Sequence, residues 1–141
     1  MKQAGSGAQA PSVYSLIHAA GQVEARLEAA LEPLGLSLAK YGVLERLHGA
    51  GDSLALTDLA ARLACVRSNV TQLVDRLEAD GLVRRVADPA DRRSTRAELT
   101  RLGHTRQAAG AAALEKIQRD VASKVPEADR PALNRALHAL G

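Results

Sequence analysis

The side chains best equipped for chemistry lie close together, between positions 65 and 93. Arg67, Ser68, Asn69, Gln72 and Arg76 share one short stretch in which Val70, Leu73, Val74 and Leu77 recur at helical spacing. That period predicts a helix from about Arg67 to Ala79 with a single apolar face. Ser68 and Gln72 then point directly away from that face, flanked by Asn69, Thr71 and Arg76. Amide side chains pair with adenine edges and arginine pairs with guanine or phosphate, so such a face suits reading of a DNA major groove. An ordinary solvated helix face carries more Glu and Lys; here Asp75 and Glu78 are confined to the later half. Arg92 and Arg93 add a second basic element beside the turn-forming run Asp88-Pro89-Ala90-Asp91, where Asp91 is placed to orient them.

Other reactive residues are scattered. Cys65 is the one cysteine, so neither an intramolecular disulfide nor a CxxC metal site is available. It reads either as a small core hydrophobe or as a redox-responsive thiol whose pKa Arg62, Arg67 and the start of the following helix would lower. His18, His48, His104 and His138 show no HxH or HExxH spacing, and a metal site from them would need long-range assembly. No metal or cofactor is expected. Tyr14, Ser15 and His18 share a helical turn without a partner that completes a nucleophilic triad, so the chain does not read as an enzyme.

The elements that must hold these groups follow from composition and period. The chain has 141 residues, including 28 Ala and 21 Leu, with no Phe or Trp and with Tyr14 and Tyr41 as its aromatic residues. Ala and Leu favour helix, whereas strands favour β-branched and aromatic residues, so a mainly α fold is expected and a β-sandwich or barrel excluded. The longest apolar or small run, Ala108 to Leu114, is too short to span a membrane. Residues 1–11 lack the apolar core of a signal peptide and read as a disordered arm, and a cytoplasmic location is expected. Net charge is only +3, yet residues 67–106 hold nine Arg against six acidic residues. That concentration reads either as a solvated surface or as a phosphate-binding one.

Residues 12 to about 34 form a long amphipathic helix with Ser12 as N-cap, and a second runs from its cap at Ser37 to about His48. Thr57 caps a short third helix, and Ala64-Cys65-Val66 connects it to the polar-faced helix, which Gly81 stops. Leu82–Val86 and Thr95–Leu99 form a β-hairpin. A second long helix runs from Thr100 to about Lys124, and a last one starts at Asp129 with Pro131 in its tolerant first turn. The long helices carry apolar faces, including Ala108 to Ala113, Leu114, Ile117, Val121 and Val125, that a symmetric dimer would cover; an intramolecular bundle is the alternative.

Two short helices and a basic hairpin in this order make a winged helix-turn-helix, about 54–99, within a single domain spanning 12–141. The run Leu59-Ala60-Ala61-Arg62-Leu63, the stretch from Asn69 to Arg85, and Asp88 to Ser94 followed by Glu98 to Gly103 resemble the multiple-antibiotic-resistance regulator (MarR) family. The resemblance covers about residues 12–140 and implies a mainly α fold with a small β-hairpin. It also implies dimerisation helices at about 12–34 and 100–140. Members of the family are homodimeric transcription factors on pseudo-palindromic double-stranded DNA, often repressors released by small aromatic or lipophilic ligands or by oxidation. By that resemblance Ser68, Asn69 and Gln72 face base edges, Arg67 and Arg76 phosphates, and Arg92 and Arg93 the minor groove. Tyr14, His18 and Tyr41 would orient an effector. Val66 departs from the pattern, standing where a Ser or Thr cap is usual. The competing expectation is a helical dimeric sensor or interaction protein of the same fold that has lost DNA binding.

Overall fold

The computed structural model describes residues 9–63 and 67–141, with the backbone alone at 67 and 68. Helix α1 (Val13–Leu31) starts at Ser12, whose backbone is extended and whose carbonyl accepts from Leu16 N at 3.1 Å, although its hydroxyl makes no capping bond. A 3-10 turn at Glu32–Leu34 and left-handed Gly35 reverse the chain. Helix α2 (Leu38–Gly49) opens with the expected cap, Ser37 Oγ accepting from Lys40 N at 3.1 Å. Gly51 and Asp52, both at positive φ, turn the chain into strand β1 (Ser53–Ala55).

Helix α3 (Leu56–Arg62) begins one residue before the Thr57 expected as its cap, and its N-cap is Ala55 with no side-chain bond. Pairing of β1 decides this start: Ser53, Leu54 and Ala55 lie opposite Glu98, Ala97 and Arg96, so the chain leaves the sheet directly into helix. Helix α4 (Arg67–Ala79) ends at left-handed Gly81, where Leu82 N donates to Leu77 O at 2.9 Å. Strands β2 (Val83–Ala87) and β3 (Thr95–Leu99) form the expected hairpin. The sheet has a third strand that was not expected, in the order β1-β3-β2, all antiparallel. Helix α5 (Arg101–Ser123) is capped by Thr100 Oγ1, which accepts from Gly103 N at 3.0 Å. A 3-10 turn at Glu127–Asp129 leads into α6 (Arg130–Leu140), with Asp129 at the N-cap position and Pro131 in the first turn.

One core joins α1, α2, α3, α4 and the sheet. Leu31, Leu44, Leu47, Leu59, Val70, Val74, Leu77 and Val83 are fully buried in it. Each such side chain contributes about 1.5–3 kcal/mol by leaving water. The apolar face expected on α4 therefore docks it to the winged unit, with Leu73 half-buried at its margin.

α5 does not present its whole small-residue face to a partner. It buries Gly103, Gln107 and Gly110 within its own chain and packs on α1 and α2, so this part of the face is covered intramolecularly. A Cβ on Gly110 would meet Tyr41 Cδ2 at 2.7 Å, and one on Gly103 would stand 2.0 Å from the Leu82 carbonyl oxygen. The apolar residues left exposed include Val13, Tyr14 and Ile17 on α1 and Leu133, Leu137 and Leu140 on α6.

Both glycines are therefore required by contact. Ala gains about 1 kcal/mol of helix propensity over Gly, yet we expect Gly110→Ala to lower stability by about 1–3 kcal/mol through overpacking against the Tyr41 ring. Gly103→Ala should cost more, because a backbone carbonyl cannot swing aside. Urea unfolding midpoints would check both, and a stabilised Gly103→Ala protein would contradict the packing described.

Candidate nucleic-acid interface

With Val70, Val74 and Leu77 inserted in the core, the opposite side of α4 faces solvent and presents Asn69, Gln72 and Arg76. Arg67 and Ser68 occupy its first turn, and their side chains lie outside the described residues. Cys65 and Val66 lie outside them too, so the two readings of Cys65 and the question of the cap stand as the residue types leave them.

Asp75 and Glu78, the acidic residues of this helix, are both paired. Arg85, on β2, places Nη2 2.6 Å from Asp75 Oδ1 and Nη1 3.2 Å from Glu78 Oε1. Its amide donates to Glu78 Oε2 at 2.9 Å, and its guanidinium reaches the Thr71 carbonyl at 3.3 Å. One arginine thus pairs with two carboxylates, offsetting one of their two charges, and binds the hairpin to α4. The pairing was not foreseen, although Arg85 stands only seven residues beyond Glu78.

The remaining arginines of the hairpin divide by role. Arg84 Nε donates to Glu98 Oε1 at 3.0 Å across the β2–β3 register. Arg96 reaches Ser53 Oγ at 2.9 Å and Ser53 O at 3.1 Å, fastening β3 to β1, and lies 3.7 Å from Asp88. At the tip, Asp91 Oδ1 accepts from the Arg93 amide at 2.9 Å, and Asp88 Oδ1 from the Ala90 amide at 3.0 Å. Asp91 therefore acts on the backbone of Arg93. The side chains of Arg92 and Arg93 are exposed and make no ion pair among the described residues. Arg84, Arg85 and Arg96 are committed to structure, whereas Arg92, Arg93 and Arg76 are exposed and make no ion pair among the described residues.

The effector residues expected from the resemblance do not gather within this chain. A cavity of about 320 Å³ lies between α1, α2 and α5, lined by Val23, Leu27, Tyr41, Glu45, Leu114 and Gln118 among others. Tyr41 belongs to it and is 6% exposed, and burial, followed by the nearby Glu45 charge, holds its phenol above the ordinary range. Tyr14, 83% exposed in the first turn of α1, does not line the cavity, and neither does the exposed His18. The cavity starts lower on α1, at Val23, so sharing a helical turn placed these two residues with each other and not with Tyr41. Glu45, Glu115 and Gln118 supply its other polar edges. In the sequence they look like solvated positions, and only the meeting of α2 and α5 brings them together.

Comparison with known proteins bears on this arrangement. The MarR family model matches residues 34–94, from the turn after α1 to the end of the hairpin loop. YkoM of Bacillus subtilis, an uncharacterized HTH-type transcriptional regulator, is 39% identical over 70 residues, covering 50% of this chain and 45% of YkoM. The chain thus spans about half the length of the curated relatives it matches. Solved structures extend the likeness over both sets of helices. AbsC, a MarR family transcriptional regulator from Streptomyces coelicolor, is 25% identical with a TM-score of 0.82, over 90% of this chain and 87% of AbsC. CouR from Rhodococcus jostii RHA1, solved bound to p-coumaroyl-CoA, is 26% identical with a TM-score of 0.78, over 90% of this chain and 89% of CouR. A winged helix-turn-helix held between long helices, with sequence similar to the family model from residue 34 to residue 94, makes this chain similar to MarR family regulators in both sequence and fold.

Proposed function

We propose that this protein is a sequence-specific regulator of transcription, a homodimer that binds double-stranded DNA at a pseudo-palindromic operator as a repressor and is released by a small aromatic or lipophilic effector. The observation that carries the reading is the polarity of α4. On its core face Val70, Val74 and Leu77 are fully buried, its outer face offers Asn69, Gln72 and Arg76, and Arg85 pairs with the acidic residues beside them. Ser68, Asn69 and Gln72 take the base edges, Arg67 and Arg76 the phosphates, and Arg92 and Arg93 the adjacent minor groove. The reading places the protein in the cytoplasm with its DNA and assigns it no catalysis. No helix among the described residues is long and apolar enough to cross a membrane.

The apolar residues exposed on α1 and α6 support the dimer. Leu16, Ala20, Val23 and Leu27 on α1 and Leu133 and Leu137 on α6 line an open groove of about 520 Å³ that a single chain leaves uncovered. A two-fold partner covers it with the same helices. The cavity beside Tyr41 supports the effector, because it touches α1, α2 and α5 and therefore senses how the long helices sit on the winged unit. CouR's p-coumaroyl-CoA carries an aromatic acyl group, the chemical class proposed here. Such a ligand lowers DNA affinity only by preferring the arrangement that does not fit the operator.

Operator affinity should fall steeply with salt, with a log–log slope of about −0.9 for each phosphate neutralised. Asn69→Ala and Gln72→Ala should change base preference at about 1–3 kcal/mol per lost bidentate contact, whereas Arg93→Ala should weaken all sequences evenly and flatten the slope by about 1. Selection from a random library, followed by titration at several salt concentrations, tests both; a salt-independent interaction would point to the sensor that has lost DNA binding. Removal of residues 126–141 should leave a folded chain, since no residue of α6 is itself buried within the protomer, but should shift sedimentation from dimer to monomer. A truncated chain that remains dimeric would place the interface elsewhere. In a Tyr14→Phe protein Tyr41 is the sole tyrosine, and its phenolate absorbance should appear with a midpoint above the ordinary value of about 10. A phenol raised in the folded state stabilises the fold below its unfolded value and loses that contribution as pH rises through the folded one. Stability should therefore decline above about pH 10, less so in Tyr41→Phe, and a midpoint at or below the ordinary value would mean that the ring is not buried.

A further inference from the structure

Away from the DNA-facing surface, the fold assembles a cluster from three separate elements. His48 is in the last turn of α2, Asp52 in the turn before β1, and His104 in the first turn of α5. Asp52 Oδ2 lies 3.1 Å from His104 Nε2, and Asp52 Oδ1 lies 3.9 Å from His48 Nδ1. One donor atom from each residue falls within 4.8 Å of the other two, and the imidazole planes meet edge to face at 84°. Zinc bound tetrahedrally at about 2.0–2.2 Å sets its ligand atoms about 3.4 Å apart, between the two separations found here. Small side-chain rotations would bring all three donors to one ion.

The middle ligand is fixed by its own backbone. Asp52 N donates to Leu47 O at 2.8 Å and Asp52 O accepts from Leu99 N at 2.9 Å, so the turn that carries the carboxylate is tied to α2 and β3 at once. The three side chains are 54%, 44% and 41% exposed, which gives an ion access and leaves room for water to complete its shell. Two imidazole nitrogens and one carboxylate oxygen form a borderline donor set. It suits zinc, nickel or cobalt and is a poor match for magnesium, which takes an octahedron of oxygen ligands.

We propose that His48 Nδ1, the Asp52 carboxylate and His104 Nε2 form a site for one divalent transition-metal ion of the zinc, nickel or cobalt class, which fastens the α2–β1 turn to the start of α5. The ion replaces the His104–Asp52 contact with a link across three elements. None of the three residues lies on α4 or at the hairpin tip, and the site's existence does not depend on DNA binding.

Calorimetric titration of the full chain, first stripped with a chelator, tests the proposal. Zinc and nickel should each bind at one ion per chain and raise the melting temperature, and magnesium should do neither. His48→Gln, Asp52→Asn and His104→Gln should each weaken zinc at least about tenfold, while circular dichroism and metal-free unfolding show the fold retained. Asn suits the Asp52 position because it tolerates the positive φ there. His138→Gln, in α6, should bind as the parent does. Absence of zinc uptake by the parent, uptake unchanged in the three variants, or loss of uptake in His138→Gln would each overturn the assignment and leave the cluster an ordinary surface ion pair.

Discussion

The arrangement of this protein depends on how closely α5 begins against the start of the hairpin. Gly103 leaves no room for a side chain beside the Leu82 carbonyl, and that same carbonyl accepts from Thr100 N at 3.1 Å while Thr100 Oγ1 donates to Gly81 O at 2.6 Å. The peptide that ends α4 and begins β2 is thus held by the residue that caps α5. The direction of the long helix is set where α4 stops, without an intervening flexible linker. Farther along, Gly110 lets the helix settle on the Tyr41 ring, and Arg106 Nη1 donates to the Leu34 carbonyl. These contacts seat α5 against α1, α2 and the winged unit along its first half.

Electrostatics are arranged in the same economical way. Counted from the sequence, the segment from 67 to 106 is simply arginine-rich. In the fold, half-exposed pairs such as Arg85 with Asp75 and Glu78 hold positions and contribute little stability individually, since exposed ion pairs are worth about 0–1 kcal/mol. Their effect on the surface is larger than their energy. They offset part of the negative charge on one flank of α4, while Arg76, Arg92 and Arg93 stay exposed. On the long helices, Asp120 is held below the ordinary carboxylate range by its hydrogen bond from Arg26, at 2.5 Å, and by Lys124.

Much of this was legible in the residues because the signals were local. Ser37, Gly81 and Thr100 act at helix ends through their own side chains or backbone freedom, and the apolar period of α4 identified its buried face residue by residue. β1 was not legible: Ser53, Leu54 and Ala55 include no β-branched residue and become a strand only by pairing with β3. That pairing also overrode the cap expected at Thr57. The polar edge of the cavity and the meeting of His48, Asp52 and His104 join residues far apart in the chain, and no period or spacing reports such contacts. Tyr14 and His18 do not line the cavity that holds Tyr41, because neighbours on one helix turn need not reach the same cavity.

The clasp of Arg85 on Asp75, Glu78 and the Thr71 carbonyl has a mechanical consequence. Hairpin and helix are joined at several points along their length, so neither can tilt alone without losing those bonds. On the function proposed above, a rearrangement of the long helices would carry hairpin and helix together as one paddle: the surface offered to a run of bases keeps its shape, and what changes is the separation between the two paddles of a dimer.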